Sequence, residues 1–461
     1  MATPDPISRV IARLGTGAAS SLELEQALAV SQSSMSRLLR GLIAEDRVVR
    51  IGQRRGARYA LRREIPGIGS SWPLRRVGRT GDIQELGRLH ALAADQYLIE
   101  PSDSALASGF ASAGISEGLP YFLQDQRPAG FLGRAVPLRY PELNLPQRVQ
   151  DWSDEHYLRY LTRRGSDTVS DIILGNAAFD DYLSGKRLVV AVPVNERETR
   201  YPQLANQVME GGLPGSSAHG EHPKFATLLQ DTAGPRQVLV KFSPANTNAV
   251  GQRWSDLLIA EHHAHETLRE AGIPAATSRI FLFAERAWLE VDRFDRNGLD
   301  GRIGVTSLFA IDVSRYGQID NWIAAGSRLH RDACIDAQTF EWVKLASTFG
   351  GLIANTDRHF GNLAFYDEYI GRFTLAPIYD MLPMLFAPEH DQVRVRAFDA
   401  PIPTADTLSV WASARVLAEK YWRALAADMR ISKDFRKISS ECLATVEALP
   451  RTGAYAHQEP R

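Results

Sequence analysis

The apolar positions of the first sixty residues hold helical spacing through two segments and then switch to a period of two. Residues 22–28 (LELEQAL) repeat at helical spacing, Val30 and Ser31 make a turn with a capping serine, and residues 33–43 (SSMSRLLRGLI) return to helical spacing. This predicts two helices about a tight turn. The period then drops to two in 48–51 (VVRI) and 57–61 (ARYAL), which predicts two strands around the glycine-flanked tip 52–56 (GQRRG). Residues 64–80 are dense in Pro, Gly and Ser and read as a linker. Helical spacing is expected over 81–95 and 154–164, with Pro137, Pro141 and Pro146 interrupting between them. Further on, 237–242 (QVLVKF) reads as a β-branched strand, a helix begins near Ser255, 346–353 (ASTFGGLI) reads as a buried helix, and 373–379 as a short strand. The last stretch, 451–461, is a polar tail.

Charge changes the reading of the first segment. The net charge of −1 divides into about +6 for residues 1–63, which hold eleven Arg and no Lys, and about −7 for the remainder. Helix, turn, helix and a strand pair with an arginine tip resemble a winged helix-turn-helix. In that arrangement Ser33, Ser34, Ser36 and Arg37 face the major groove, Arg40 meets backbone, and Arg54, Arg55 and Arg58 lie along phosphates or reach the minor groove. The expected partner of residues 1–63 is therefore DNA, and a homodimer suits a palindromic site. A protein-interaction module with a solvated arginine face fits the same pattern.

Composition limits the rest. A chain of 461 residues with 44% hydrophobic and 23% charged residues has material for two or three folded domains. Cys334 and Cys442 stand far apart without metal-ligand spacing, which argues against a disulfide framework and a zinc site. No apolar run approaches membrane-spanning length and the first thirty residues lack a signal-peptide pattern, so a cytoplasmic location is expected, nucleoid-associated when DNA-bound, with no membrane partner.

The chemistry concentrates in 355–362 (NTDRHFGN), followed 23 residues after Asp357 by Asp380. An Asp that meets a hydroxyl, an Asn five positions on and a later Asp that bridges metal to phosphate are what phosphoryl transfer needs: hard oxygen ligands for Mg2+ and a proton acceptor. Alone, this pattern also fits residues that cap a turn. Upstream, 211–225 (GGLPGSSAHGEHPKF) would let backbone N–H groups approach phosphates, although it is neither a Walker loop nor G-x-G-x-x-G, and His219, Glu221 and His222 crowd it. Lys241 ends the 237–242 strand among apolar neighbours and calls for a partner, which Glu261, twenty residues on, supplies; an edge-strand lysine snorkelling to water is the alternative. His262, His263 and His265 do not share the face of a zinc helix and read as surface or pocket histidines.

The ordered set of glycine-serine loop, strand lysine, Glu-bearing helix, 291–296 (VDRFDR), the 355–362 loop and 377–380 (PIYD) is similar to the HipA-type serine/threonine kinases, toxins of bacterial toxin–antitoxin systems. The likeness covers roughly 205–430. The resemblance implies ATP and Mg2+ as cofactors, Lys241 on the ATP phosphates, Asp292, Phe294 and His359 with Ser217, Gly220 and Glu261 around the nucleotide, Asp357 as catalytic Asp, and Asn362 with Asp380 on the metal. It further implies autophosphorylation of Ser217, with Ser216 as the adjacent alternative, through the S-x-x-G-x-x-x-K frame of Ser217, Gly220 and Lys224. The implied substrate is a protein, of the aminoacyl-tRNA synthetase class. A DNA-binding segment fused to the kinase resembles the single-chain, YjjJ-like branch, which leaves a separate antitoxin open.

The expected fold class is α+β: a winged helix-turn-helix (1–63), a linker (64–80), an N-terminal kinase lobe with the glycine loop and ATP lysine (81–298), a mostly helical C-terminal lobe with the catalytic loop (299–450), and the tail. A catalytically silent transcription regulator of this fold and a small-molecule or phosphatidylinositol-like kinase are the alternatives.

Overall fold

The structure, a computed structural model, describes residues 5–52, 56–111, 114–185, 191–210, 222–389 and 391–451. Ser216, Ser217, Gly220, Arg54 and Arg55 lie outside the described residues.

The chain opens with α1 (Pro6–Leu14), α2 (Ser21–Leu28) and α3 (Gln32–Ala44) beside a three-stranded antiparallel sheet of β1 (Ala19–Ser20), β2 (Val48–Ile51) and β3 (Arg58–Leu61), ordered β1-β3-β2. A capping box between Ser20 and Glu23 starts α2, and the Ser31 side chain accepts from the Ser34 N–H to start α3. Between them Ala29 takes a left-handed φ of 51°, which lets two short helices meet in a tight turn. Met35, Leu39 and Leu42 of α3 are buried against Val10, Leu14 and Leu24, as their spacing requires.

Part of the stretch read as a linker is a strand. A second sheet of β4 (Ser71–Val77), β5 (Ile83–Ala91), β6 (Gln96–Pro101), β7 (Gly114–Glu117) and β8 (Ile172–Leu174) runs in the order β7-β6-β5-β4-β8. The helix expected over 81–95 is also overturned, because β5 occupies it. Gly87 explains why: its φ is 138°, and a Cβ there would stand 2.1 Å from the Glu100 carbonyl oxygen, so backbone approach across the β5–β6 pair replaces helical spacing. The expected helix over 154–164 is present as Asp154–Arg164.

The N-terminal elements are fastened to this second sheet. The Ala93 N–H donates to the Leu61 carbonyl at 2.8 Å, and the Arg63 guanidinium reaches the Leu92 carbonyl, the Tyr97 hydroxyl and Glu155. Ala18 and Ala60 share a buried cluster with Leu92 and Leu98.

A third sheet carries Lys241. It is built from β9 (Val192–Pro193), β10 (Lys224–Asp231), β11 (Gly234–Phe242), β12 (Ser278–Phe283) and β13 (Arg286–Asp292), ordered β12-β13-β11-β10-β9. The helix Ala249–Glu270, capped by Asn248, lies against it, and the helices Leu308–Arg315, Trp322–Arg331, Ala337–Leu352, Leu408–Ala427 and Lys433–Glu447 complete the chain around the largest core, which includes Trp322, Phe349, Tyr421 and Trp422. The expected 81–298 lobe thus holds two separate sheets.

Buried carboxylates join the second sheet's domain to the helical part. Asp367 accepts from the Tyr121 hydroxyl at 2.7 Å and from Thr306 at 3.0 Å, and Asp125 accepts from the Ser307 N–H at 2.6 Å. Desolvation is the largest influence on both and raises both carboxyl pKa values, Asp367 to about 6.

Candidate functional site

Strand β11 lies inside its sheet, between β10 and β13, so Lys241 is not an edge lysine. It is 5% exposed, and its ammonium donates to both carboxylate oxygens of Glu261, at 2.6 and 2.9 Å, and to Asp380. Glu261 comes from the Ala249–Glu270 helix and is 1% exposed. Burial works against a charged lysine, but the Asp380 and Glu261 charges overcome it and hold the Lys241 pKa above its ordinary value. Burial likewise opposes ionisation of Asp380, and Lys241 with Lys224 overcomes it, so Asp380 is held below the usual carboxylate range. Burial raises Glu261. Glu261 is enclosed, whereas the Asp380 side chain keeps 31% exposure, which leaves a hard carboxylate oxygen open to a divalent cation.

Asp380 is reached through a left-handed backbone, φ 51°, a conformation that Asp tolerates better than most residues. The turn is held from both sides. The Asn355 amide donates to the Asp380 carbonyl at 3.4 Å, and the Tyr379 hydroxyl donates to the Gly361 carbonyl, which ties the second acidic residue to the 355–362 loop. Within the loop, Asn355 Oδ1 accepts from the Asp357 N–H at 2.9 Å and Asn362 Nδ2 donates to the Asp357 carbonyl at 2.8 Å. That bond turns the Asn362 oxygen into the available ligand atom. The Asp357 side chain is half exposed; partial burial and the Asp380 charge raise its pKa, while His359, 3.9 Å away, and Asn362 act to lower it. No group of three or more His, Cys, Asp or Glu side chains able to hold a metal occurs among the described residues. Asp380 and Asn362 fit magnesium, which takes one or two protein oxygens and keeps several waters.

The other expected site residues divide. Phe294 packs near the loop, 5.6 Å from the Tyr379 ring and 6.4 Å from Tyr366. His359 sits beside Asp357, with Nδ1 accepting from the Gly361 N–H at 3.1 Å. The Asp292 side chain is not on the Lys241 face. It pairs in register with Val238, while Lys241 pairs with Leu289, so strand alternation points it to the opposite face, where Arg236 and Arg279 bind its carboxylate. Of the three clustered histidines, His263 bonds Asp428 at 2.7 Å, whereas His265 is fully buried with Nδ1 near Ser278 and Nε2 3.8 Å from Glu261. Its place one turn after Glu261 was the available signal for a buried neighbour. At the N terminus, Ser33, Ser34, Ser36, Arg37 and Arg40 form the exposed face of α3, while the exposed Arg58 donates to the Ala18 carbonyl at 2.5 Å.

Comparison with known proteins covers the same ground. Residues 68–183 match the family described as "YjjJ-like toxin, middle domain", and residues 216–449 match "HipA-like C-terminal domain". The chain is 37% identical over 429 residues to Toxin YjjJ of Escherichia coli (strain K12), covering 92% of this chain and 94% of that one. It is also similar to the HipA of Shewanella oneidensis MR-1, solved with HipB and its operator DNA, with a TM-score of 0.56, 14% identity, and coverage of 82% of this chain and 97% of that one.

Proposed function

The chain belongs to the YjjJ-like, HipA-type toxin family, and from that premise we propose that it is an ATP- and Mg2+-dependent serine/threonine protein kinase with its own DNA-binding segment. The carrying observation is the buried Lys241–Glu261–Asp380 cluster set against the Asp357–Asn362 loop. A buried lysine shared between a helix glutamate and a second acidic residue is arranged to hold phosphate oxygens, and Glu261 fixes its direction. Magnesium, held by Asp380 and Asn362, supplies charge neutralisation on the phosphates when bound. Asp357, half exposed and with a raised pKa, accepts the proton of the incoming hydroxyl. Phe294 and Tyr379 offer aromatic surface to the base.

The site of self-modification in this reading is Ser217, or the adjacent Ser216. A phosphate there adds negative charge to a loop that must approach phosphates, and so opposes ATP binding. The partners in this reading are DNA through a winged helix at 1–63, supported by the exposed face of α3, and a protein substrate; the HipB and operator DNA bound to the Shewanella relative support DNA and antitoxin partners.

The test is incubation of the purified chain with labelled ATP and magnesium, followed by mass spectrometry of the 211–224 peptide, beside Asp357→Gln. Phosphate on Ser217 or Ser216 that is absent from the variant supports the reading. Absence of both phosphate and ATP binding in the unmodified chain overturns it in favour of the silent regulator.

A further inference from the structure

His222 stands at the entrance to β10 with its ring edge-on to Trp254 of the Ala249–Glu270 helix, centroids 4.0 Å apart and planes at 76°. Both ring nitrogens are buried and neither has a hydrogen-bond partner. Desolvation first, and then the Lys241 charge, lowers its pKa to about 3, so the ring is neutral, with one donor and one acceptor. Buried polar groups are nearly always paired, and a ring that lacks a partner in the free protein is suited to gain one from a ligand.

The register identifies which ligand. The Phe242 N–H donates to the Pro223 carbonyl at 3.1 Å, which carries the β10–β11 pairing back past Lys224 and, by strand alternation, sets His222 on the Lys224 side. Lys224 pairs directly with Lys241 across β10 and β11, which puts Lys224 and Lys241 on one face. Lys241, Asp380 and Lys224 are also the charges that act on the His222 ring. A neutral N–H beside two ammonium groups, facing a carboxylate suited to magnesium, matches a chain of phosphate oxygens.

We propose that His222 is a nucleotide-binding residue whose ring N–H donates to a phosphate oxygen of ATP, with Trp254 holding the ring in place. The inference deepens the kinase reading and rests on it.

Calorimetric titration of the full chain with MgATP and, separately, with adenosine tests it, using His222→Phe, which keeps the edge contact to Trp254 and removes both nitrogens, and His222→Gln, which keeps a donor. The expected result is a loss of MgATP affinity on the order of tenfold or more in His222→Phe, unchanged adenosine affinity, and near-normal MgATP affinity in His222→Gln. Unchanged MgATP affinity in His222→Phe overturns the inference. So does an equal loss for both ligands, which marks a structural role, or a His222→Gln that behaves like His222→Phe. Where His222→Phe loses cooperative melting, His222→Ala supplies the same comparison. Failure of the unmodified chain to bind MgATP overturns the kinase reading itself, a result reached before any variant is made.

Discussion

Lys241 and Glu261 meet through two hydrogen bonds, 2.6 and 2.9 Å long, between the middle of a sheet and a helix, with both side chains withdrawn from water. A buried ion pair adds little over a well-packed apolar pair, but removing one partner strands the other. Lys241→Met leaves Glu261 and Asp380 facing each other without the cation that is hydrogen-bonded to both. The expected cost is about 3–5 kcal/mol, read from the urea midpoint of the unliganded protein; a change below about 1 kcal/mol would mean that water already relieves the cluster.

Asp357 is the proton acceptor in the proposed reaction, so Asp357→Gln should lower phosphoryl transfer by about 10²- to 10⁴-fold while leaving MgATP affinity and DNA binding intact. Because its pKa is raised and the ionised form is the active one, the rate should fall on acidification earlier than an ordinary aspartate would dictate. A variant with full activity removes Asp357 from the mechanism.

Asp367 gives stability a defined pH dependence. Its carboxyl is raised from 3.8 to about 6, with burial as the largest cause, so the folded state holds the proton more tightly than the unfolded chain. Its contribution is therefore fully favourable below the unfolded value and is lost as pH rises through the window to about 6, by roughly 3 kcal/mol. Denaturant midpoints at pH 4.5 and 7.5 should converge in Asp367→Asn relative to the unmodified chain. Equal pH dependence in both proteins would refute the assignment.

Arg37 and Arg40 lie on the exposed face of α3, opposite buried Met35 and Leu39. The double change Arg37→Ala with Arg40→Ala should weaken DNA binding while altering stability by no more than about 0.5 kcal/mol. If both contact phosphate, the dependence of log affinity on log salt should flatten by about 1.8. Autophosphorylation should be unaffected, and its loss would show that the DNA-binding and kinase activities are not separable.

Much of the candidate site was legible in the chain because its parts are local or strongly typed. The Asp357–Asn362 step lies within one loop, and 237–242 had the β-branched character of the strand that the structure contains. Glu261 belonged to a helix whose start was displaced, since Asn248 caps it before the expected Ser255. The direction of the Asp292 side chain was not legible, because the VDRFDR segment does not reveal which face of β13 each residue takes; that follows from pairing with Val238.

The amino-acid sequence by itself determined the helical and extended periods of the N-terminal segment, the Asp and Asn spacing of the 355–362 loop and the family to which the chain belongs, since all three depend on residue type at short spacing. Tertiary structure alone decided that 83–91 is a strand, where Gly87 admits the Glu100 backbone. It alone decided that Lys241 is shared by Glu261 and Asp380, and that an unpaired His222 ring lies among Lys224, Lys241 and Asp380. Those relationships join residues as far as 158 positions apart, and the free energy that selects them, from burial of apolar surface and the pairing of desolvated charge, exists only once the sheets and helices have packed.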